Sequence, residues 1–198
     1  MSAAAKIVVI GASAGGVSAL RRLTAQFHAD WTVAVFITIH TGRNPSRMPS
    51  ILNWRSPLQA EFAQHDHAFG RGIYVAPPDR HLIVGQNATF LSAGPKENRA
   101  RPAIDPMFRS AAQHHGANVI GILLTGHLND GVNGLYQIQK LGGTTIVQDP
   151  TDAEVPEIPL NALKRMQPDH VLPLADIPNV IAGALREQPR RIDIRSRP

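Results

Sequence analysis

A serine, a histidine and an aspartate each follow an apolar stretch of this sequence. Ser13 stands in GASAG after the run IVVI, His40 follows FITI, and Asp130 lies in LNDG after a run that ends at Leu124. A hydroxyl nucleophile, a base and an acid that orients the base are the components of a nucleophilic triad. We therefore predict a serine hydrolase in which Ser13 is the nucleophile, His40 the general base and Asp130 its orienting partner.

The residues around Ser13 are small, as a serine nucleophile requires. Gly11 to Gly15 match the G-x-S-x-G pattern of a sharp turn from a strand into a helix. Small neighbours leave room for a substrate carbonyl, and the free N–H groups at the start of the following helix point to the same place. We expect backbone donors there, the Ala14 N–H among them, to stabilise an oxyanion.

Other roles for Ser13 and Asp130 remain open from the sequence. Ser13 could cap the helix that follows it, and Asp130 could cap a helix that begins near Val132. The run GASAGG also resembles the dinucleotide motif G-x-G-x-x-G, with serine in place of the second glycine. That serine would crowd a pyrophosphate, and His40 stands where a ribose-binding acid is expected, so a dinucleotide enzyme is disfavoured.

The elements that would position these residues alternate between strands and helices. Near-continuous apolar stretches predict four buried strands, at residues 6–10, 32–39, 118–124 and 144–148. Apolar residues at helical spacing lie between them, so we predict an α/β fold: a doubly wound, mostly parallel sheet with helices on both faces. Functional groups in such sheets lie at the carboxyl ends of the strands, where the three candidate residues stand.

The stretch from residue 58 to residue 93 follows a different pattern. It contains the short strand-like pieces LQAEFAQ, GIYVAP, HLIVG and TFLSA, separated by Gly, Pro, Asn and Asp. Short strands with turn residues between them are typical of hairpins. We therefore predict an antiparallel hairpin region inserted in the larger frame.

Composition excludes several classes of protein. The 198 residues include no cysteine, which excludes disulfides, thiol nucleophiles and thiolate zinc sites. The nine histidines lack the spacing of a metal site, so neither a metal nor another cofactor is expected. No apolar run reaches the roughly 20 residues of a membrane helix, and no signal-peptide core is present. We expect a cytoplasmic protein without membrane insertion.

The formal charge of +5 is concentrated near the C-terminus. We predict a catalytic domain over residues 1–187 and a basic, disordered tail over residues 188–198. The alternative for the tail is a docking arm for an acidic partner. Nucleic acid is not expected as a partner, because aromatic residues do not interleave with the basic ones.

Several ordered segments resemble the catalytic domain of the CheB-type chemotaxis methylesterases. The resemblance runs nearly from end to end of the chain. Its segments are VVIGASAGGVSAL, ITIH, GIYVAPPDRHLIV, RPAIDPMFRSAA, GILLTGHLNDGVNGL, TTIVQD and VLPLADIP. Members of this family hydrolyse glutamate methyl esters on chemoreceptors, and some also deamidate glutamine. The resemblance implies the same activity for this chain, with methylated chemoreceptor helices or a similar acidic protein as partner and Ser13, His40 and Asp130 as the triad.

The sequence also departs from the family pattern. Ala14 replaces a small polar residue, which leaves its backbone N–H for the oxyanion, so we expect a minor effect. His127-Leu128 replaces the usual Met-Gly, and these two side chains are candidates to line the ester pocket or to shift the oxyanion wall. His127 could compete with His40 as the base. Asp152, Glu154 and Glu157 make a neighbouring segment more acidic than usual, which could change how an acidic helix docks.

Regulation is the last expectation from the sequence. Many family members carry an N-terminal receiver domain, whereas the first strand here is expected from about residue 6. Two alternatives follow: a separate receiver-type protein regulates the enzyme, or the esterase works outside classical chemotaxis. The alternative to an active esterase is a regulatory or docking module of the same fold with weak chemistry.

Overall fold

A computed structural model describes residues 6–186, and the predicted tail over residues 188–198 lies outside the described residues. The strands are β1 (Ile7–Ala12), β2 (Ala34–Ile39), β3 (Ala60–Phe62), β4 (His67–Ala68), β5 (Gly72–Val75), β6 (His81–Val84), β7 (Ala88–Ser92), β8 (Val119–Leu123), β9 (Thr144–Gln148) and β10 (His170–Leu172). The helices are α1 (Gly16–Thr24), α2 (Met48–Asn53), α3 (Ile104–His115), α4 (Val132–Lys140), α5 (Glu157–Arg165) and α6 (Ile177–Arg186). A single 3-10 turn, Gly116–Asn118, joins α3 to β8.

The main sheet has seven strands in the order β10-β9-β8-β1-β2-β5-β3, and every neighbouring pair is parallel. The first strand of the chain is therefore central, with β2 on one side and β8 on the other. All residues of these three strands are buried. Continuous burial follows from helices on both faces of the sheet, which confirms the predicted fold class.

Two apolar clusters fill the space between the sheet and its helices. On one face, Leu20 of α1, Leu52 of α2 and Ile181 of α6 pack against the sheet. On the other, Phe108 of α3 and Leu135 of α4 pack against it. Each side chain in this set is at most 1% exposed, so both layers are tightly held to the strands.

Of the four strand-like pieces predicted to form an antiparallel insertion, two do so, as β6 and β7, and the prediction is wrong for the other two, β3 and β5. β3 and β5 join the edge of the main sheet, where β5 pairs in parallel with β2 and with β3. Only β4, β6 and β7 form an antiparallel sheet, in the order β4-β7-β6. All four residues of β5 are buried, the pattern of a covered parallel strand, but so short a run does not distinguish the two pairings.

The helices and the acidic and histidine side chains of the described residues do not meet the requirements of membrane spans and metal sites. Within residues 6–186, no helix is long and apolar enough to cross a membrane. In the same part of the chain, no group of three or more His, Asp or Glu side chains has an arrangement that could hold a metal ion.

Candidate active site

The candidate site lies where β1, β2 and β8 end side by side. Ser13 occupies the turn between β1 and α1, and its backbone N–H donates to the Thr125 carbonyl at 2.9 Å. Gly126 lies so close that a Cβ there would be 2.5 Å from the Cβ of Ser13. The loop after β8 therefore packs directly against the serine, which only a glycine at this position allows.

The structure brings Ser13, His40 and Asp130 into one chain of hydrogen bonds. The Ser13 hydroxyl lies 2.9 Å from His40 Nδ1, and His40 Nε2 lies 2.6 Å from Asp130 Oδ2. Since Nε2–H donates a hydrogen bond to Asp130 Oδ2, Nδ1 carries no proton and can accept the proton of the hydroxyl. This geometry suits removal of the Ser13 proton by His40.

The alternative interpretation is that Ser13 and Asp130 cap the helices that follow them, but neither does so. The N-cap of α1 is Gly15, with φ 76°, and the N-cap of α4 is Gly131, with φ 93°. Neither helix has a side-chain capping hydrogen bond. Glycine adopts this left-handed conformation without strain, so the serine and the aspartate are available for other contacts.

Asp130 is fully buried and its carboxylate is saturated with donors. Besides His40, Oδ2 accepts the Ile104 N–H at 2.7 Å, and Oδ1 accepts the Asp105 N–H at 3.2 Å and Asn98 Nδ2 at 2.7 Å. Burial alone would raise the pKa of Asp130, but these hydrogen bonds, that from His40 foremost, bring it below its ordinary value. The first-turn N–H groups of α3 thus help to keep Asp130 ionised.

A second buried carboxylate, Asp105, lies behind Asp130 and was missed by the sequence analysis. Asn98 Nδ2 bridges the two acids, at 2.9 Å from Asp105 Oδ2, while Asp105 Oδ1 accepts the Gly134 N–H at 2.7 Å. Burial, together with the charge of Asp130, raises the pKa of Asp105. The segment RPAIDP contains Asp105, but nothing in its local pattern indicates that it meets Asp130.

Comparison with known proteins agrees with this geometry. A sequence profile described as CheB methylesterase matches residues 8–181. The chain is 34% identical over 173 residues to a putative protein-glutamate methylesterase/protein-glutamine glutaminase of Leptospira interrogans, covering 86% of this chain and 90% of that one. It is 38% identical over 186 residues to protein-glutamate methylesterase/protein-glutamine glutaminase 2 of Caulobacter vibrioides, covering 90% of this chain but 54% of the relative.

A solved structure shows the same fold. The crystal structure of the Thermotoga maritima CheB methylesterase catalytic domain superposes with a TM-score of 0.86 at 29% sequence identity. The superposition covers 90% of this chain and 98% of that domain. This chain belongs to the CheB methylesterase family. The predicted family and its hydrolase class are thereby confirmed, and the dinucleotide interpretation loses its support.

The loop that departs from the CheB pattern, residues 126–130, is attached to α5. The Ile158 N–H donates to the Gly126 carbonyl at 2.9 Å, and Asn161 Nδ2 donates to the Leu128 carbonyl at 2.7 Å. Leu128 has φ 68°, the left-handed region that favours glycine. The loop therefore keeps a glycine-like backbone with a leucine side chain on it.

His127 is held away from the role of a competing base. Its side chain is 67% exposed, and Nδ1 lies 3.2 Å from Glu157 Oε2. The hydrogen bond from His127 is the main cause that lowers the pKa of Glu157. Its partner is therefore a surface acid on α5, whereas His40 has both the hydroxyl of Ser13 and the buried Asp130.

Backbone N–H groups near Ser13 are available for an oxyanion. Within residues 6–186, neither the Ala14 nor the His127 N–H donates a hydrogen bond. Three nearby amides are occupied: Thr125 donates to Gln148 Oε1, Gly126 to the Val155 carbonyl and Leu128 to the Glu157 carboxylate. Ala14 and His127 are therefore the candidate donors, while the Leu128 side chain lines the pocket beside them.

Open space reaches Ser13 from two sides. A cleft of about 1160 Å³ opens along α1 and α2, and a smaller cavity of about 280 Å³ lies under the 126–130 loop, next to Asn98 and Leu128. Ser13 and His40 line both spaces. A substrate bound in the cleft can therefore present a carbonyl at the serine from either side.

The three acids Asp152, Glu154 and Glu157, which lie before α5 or at its first residue, have different positions. Asp152 accepts hydrogen bonds from Gln148 Nε2 and the Leu174 N–H, and Glu157 pairs with His127. Glu154 alone of the three lines the large cleft. Only this acid can meet a ligand near Ser13 directly.

Proposed function

We propose that this chain is a serine hydrolase that demethylates glutamate methyl esters on chemoreceptor-like proteins. The observation that carries the proposal is the unbroken series of hydrogen bonds from Ser13 Oγ through His40 to the buried Asp130. It occurs in a chain whose relatives are named protein-glutamate methylesterase/protein-glutamine glutaminase. The proposed partners are methylated receptor helices or similar acidic proteins.

In the first half of the reaction, His40 Nδ1 takes the proton of the Ser13 hydroxyl as Oγ attacks the ester carbonyl carbon. The carbonyl oxygen becomes an oxyanion, for which the Ala14 and His127 N–H groups are the proposed donors. The tetrahedral intermediate collapses, the bond to the methoxy oxygen breaks, and His40 returns the proton to that oxygen. Methanol leaves, and the glutamyl group stays on Ser13 as an ester.

In the second half, water replaces methanol. His40 takes a proton from the water as its oxygen attacks the acyl carbon, and then returns that proton to Ser13 Oγ when the acyl bond breaks. Glutamate is released and the serine is restored. Asp130 remains ionised throughout, holds Nε2–H and stabilises the imidazolium that forms in each half.

Glutamine deamidation is a second reaction for the same residues. The names of the curated relatives include protein-glutamine glutaminase. Attack of Ser13 on a side-chain amide would follow the same steps, with ammonia as the leaving group protonated by His40. We include this activity in the proposal.

A regulatory or docking module with weak chemistry is the alternative function. The left-handed Leu128 favours it, because a leucine side chain replaces open space at the wall of the small cavity. Labelling by a fluorophosphonate distinguishes the two functions, since the reagent bonds only to an activated serine. No labelling of the folded protein would favour the module.

The direct test is methanol release from methylated chemoreceptor by the wild type and by Ser13→Ala. The wild type is expected to release methanol, and the variant to lose at least about a thousandfold in rate. Thermal unfolding of both proteins checks that the variant folds. Equal rates would exclude Ser13 as the nucleophile. A separate receiver-type protein, added with a phosphoryl donor, tests the proposed regulation through a change in the wild-type rate.

A further inference from the structure

The large cleft beside Ser13 continues as a groove between α1 and α2, which we call the α1–α2 groove. It begins at Ser13 and extends to Trp54, whose side chain is 73% exposed. Val17, 47% exposed, and the half-buried Ile51 line it in between. An exposed tryptophan next to other apolar side chains is a common anchor for an apolar group of a binding partner.

The groove is also basic. Residues 13–59 contain five arginines and one acid, Asp30. Four of these arginines line the groove or its continuation past Trp54, and all four are exposed: Arg21, Arg22, Arg47 and Arg55. None of the four forms an ion pair with a carboxylate in the described part of the chain.

The two ends of the groove differ in charge. Among the described residues that line it, the only acid is Glu154, at the end near Ser13. At the other end, the Arg55 guanidinium carbon lies 5.7 Å from the centre of the Trp54 ring. Cations gathered in a groove without acidic partners attract a segment of opposite charge and speed its encounter.

We propose that the α1–α2 groove binds an acidic segment of the substrate protein. Its carboxylates face Arg21, Arg22 and Arg47, an apolar side chain rests on Trp54, and the esterified glutamate reaches Ser13. The inference rests on the proposed function, because it takes Ser13 as the point of cleavage. A second copy of this chain is a poorer occupant, since a two-fold contact would bring the same arginines face to face.

Three defined substrates test this inference by methanol release. The first is the α-amide of N-acetylglutamate γ-methyl ester, which is too small to span the groove. The second is a peptide with one glutamate γ-methyl ester, flanking aspartates and glutamates, and one leucine. In the third, asparagine and glutamine replace the acids. The wild type is expected to show about tenfold higher kcat/KM for the acidic than for the neutral peptide at low salt, with the ratio falling as NaCl is added.

Variants of groove residues test whether the preference for the acidic peptide arises in the α1–α2 groove. Arg21→Glu combined with Arg47→Glu is expected to remove the preference for the acidic peptide, through a higher KM. Trp54→Ala is expected to lower kcat/KM for both leucine-containing peptides about fivefold. Lys140→Glu is the matched control, because Lys140 lies in the last turn of α4 as Arg21 lies in the last turn of α1. It should retain the wild-type ratio.

The outcomes separate this inference from the proposed function. If the wild type cleaves the small ester but treats both peptides equally, the groove inference is overturned and the esterase stands. The same conclusion follows if the groove variants show the same ratio of kcat/KM for the two peptides as Lys140→Glu. It also follows if the protein is a dimer that Trp54→Ala dissociates. If the wild type does not cleave the small ester, the proposed function fails, and this inference fails with it.

Discussion

His40 presents Nδ1, not Nε2, to the hydroxyl of Ser13, with Nδ1 and Oγ 2.9 Å apart. In the serine protease arrangement the base uses Nε2 for the serine and Nδ1 for the acid. Here the ring is reversed, and the 2.6 Å contact of Nε2 with Asp130 selects the tautomer. The three residues follow neighbouring strands: Ser13 follows the central β1, His40 follows β2, and Asp130 follows β8.

Asp130→Asn is expected to impose the wrong tautomer on His40. The asparagine amide can donate to Nε2, which leaves a proton on Nδ1 and no acceptor for the Ser13 hydroxyl. A loss in kcat of about 10⁴-fold is expected from this change. The measurement is methanol release at neutral pH, with far-UV circular dichroism as the check on folding. Activity within tenfold of the wild type would show that Asp130 does not set the tautomer.

His40→Ala and His127→Ala should differ sharply. Loss of His40 removes the proposed base and is expected to lower kcat at least about a thousandfold. Loss of His127 removes a side chain that is 67% exposed and contacts Glu157, so we expect less than about a threefold change. Both variants are compared in the same methanol assay. If His127→Ala were as inactive as His40→Ala, the assignment of the base to His40 alone would be wrong.

Asn98→Ala is expected to weaken the hydrogen bonding of Asp130. Its amide separates two buried carboxylates, and its loss should raise the pKa of Asp130 and lower kcat about tenfold. The acidic limb of the pH profile of kcat should move to higher pH, a change that a purely structural defect would not produce. Asn133→Ala on α4, at an exposed asparagine, is the control. An unshifted profile would remove Asn98 from the positioning of Asp130.

The stability of the protein should depend on pH through Asp130. Its pKa in the folded state lies below the ordinary value of 3.8, so its contribution is fully present above that pH and is lost as the pH falls through the lowered pKa. Asp105, whose pKa is raised, acts in the opposite sense: its contribution falls as the pH rises through the raised pKa. Urea unfolding should show Asp130→Asn about 3 kcal/mol less stable than the wild type at pH 7. This difference in the free energy of unfolding between the two proteins should become smaller at acidic pH. A difference that does not change with pH would contradict this prediction.

Leu128→Gly is expected to preserve or increase stability. The residue has φ 68°, a conformation that costs a non-glycine residue about 1 kcal/mol, and its side chain is 51% exposed. Leu160→Gly in α5, at a residue 42% exposed, is the control and should lose about 1 kcal/mol, because glycine weakens a helix interior. Urea unfolding measures both variants. If Leu128→Gly lost as much stability as Leu160→Gly, the backbone of Leu128 would not be strained.

Much of the fold could be predicted from the sequence alone. The continuous apolar runs that became β1, β2, β8 and β9 have the signature of strands covered on both faces, and local patterning is enough to recognise it. The pairing of β3 and β5 could not be predicted, because a run of three or four residues does not record whether its partner is parallel or antiparallel. That choice depends on which edge of the sheet is free when the chain returns to it.

The residue types of the candidate site were determined by the sequence, since each polar residue directly follows a buried strand, and parallel strands end at one edge of the sheet. The tertiary structure alone decided which atoms meet. It set the reversed ring of His40, brought Asn98 and Asp105 behind Asp130, and turned His127 toward Glu157. These contacts join residues that lie far apart in sequence or on separate loops, so they depend on the relative placement of strands and helices, and no local pattern encodes that placement.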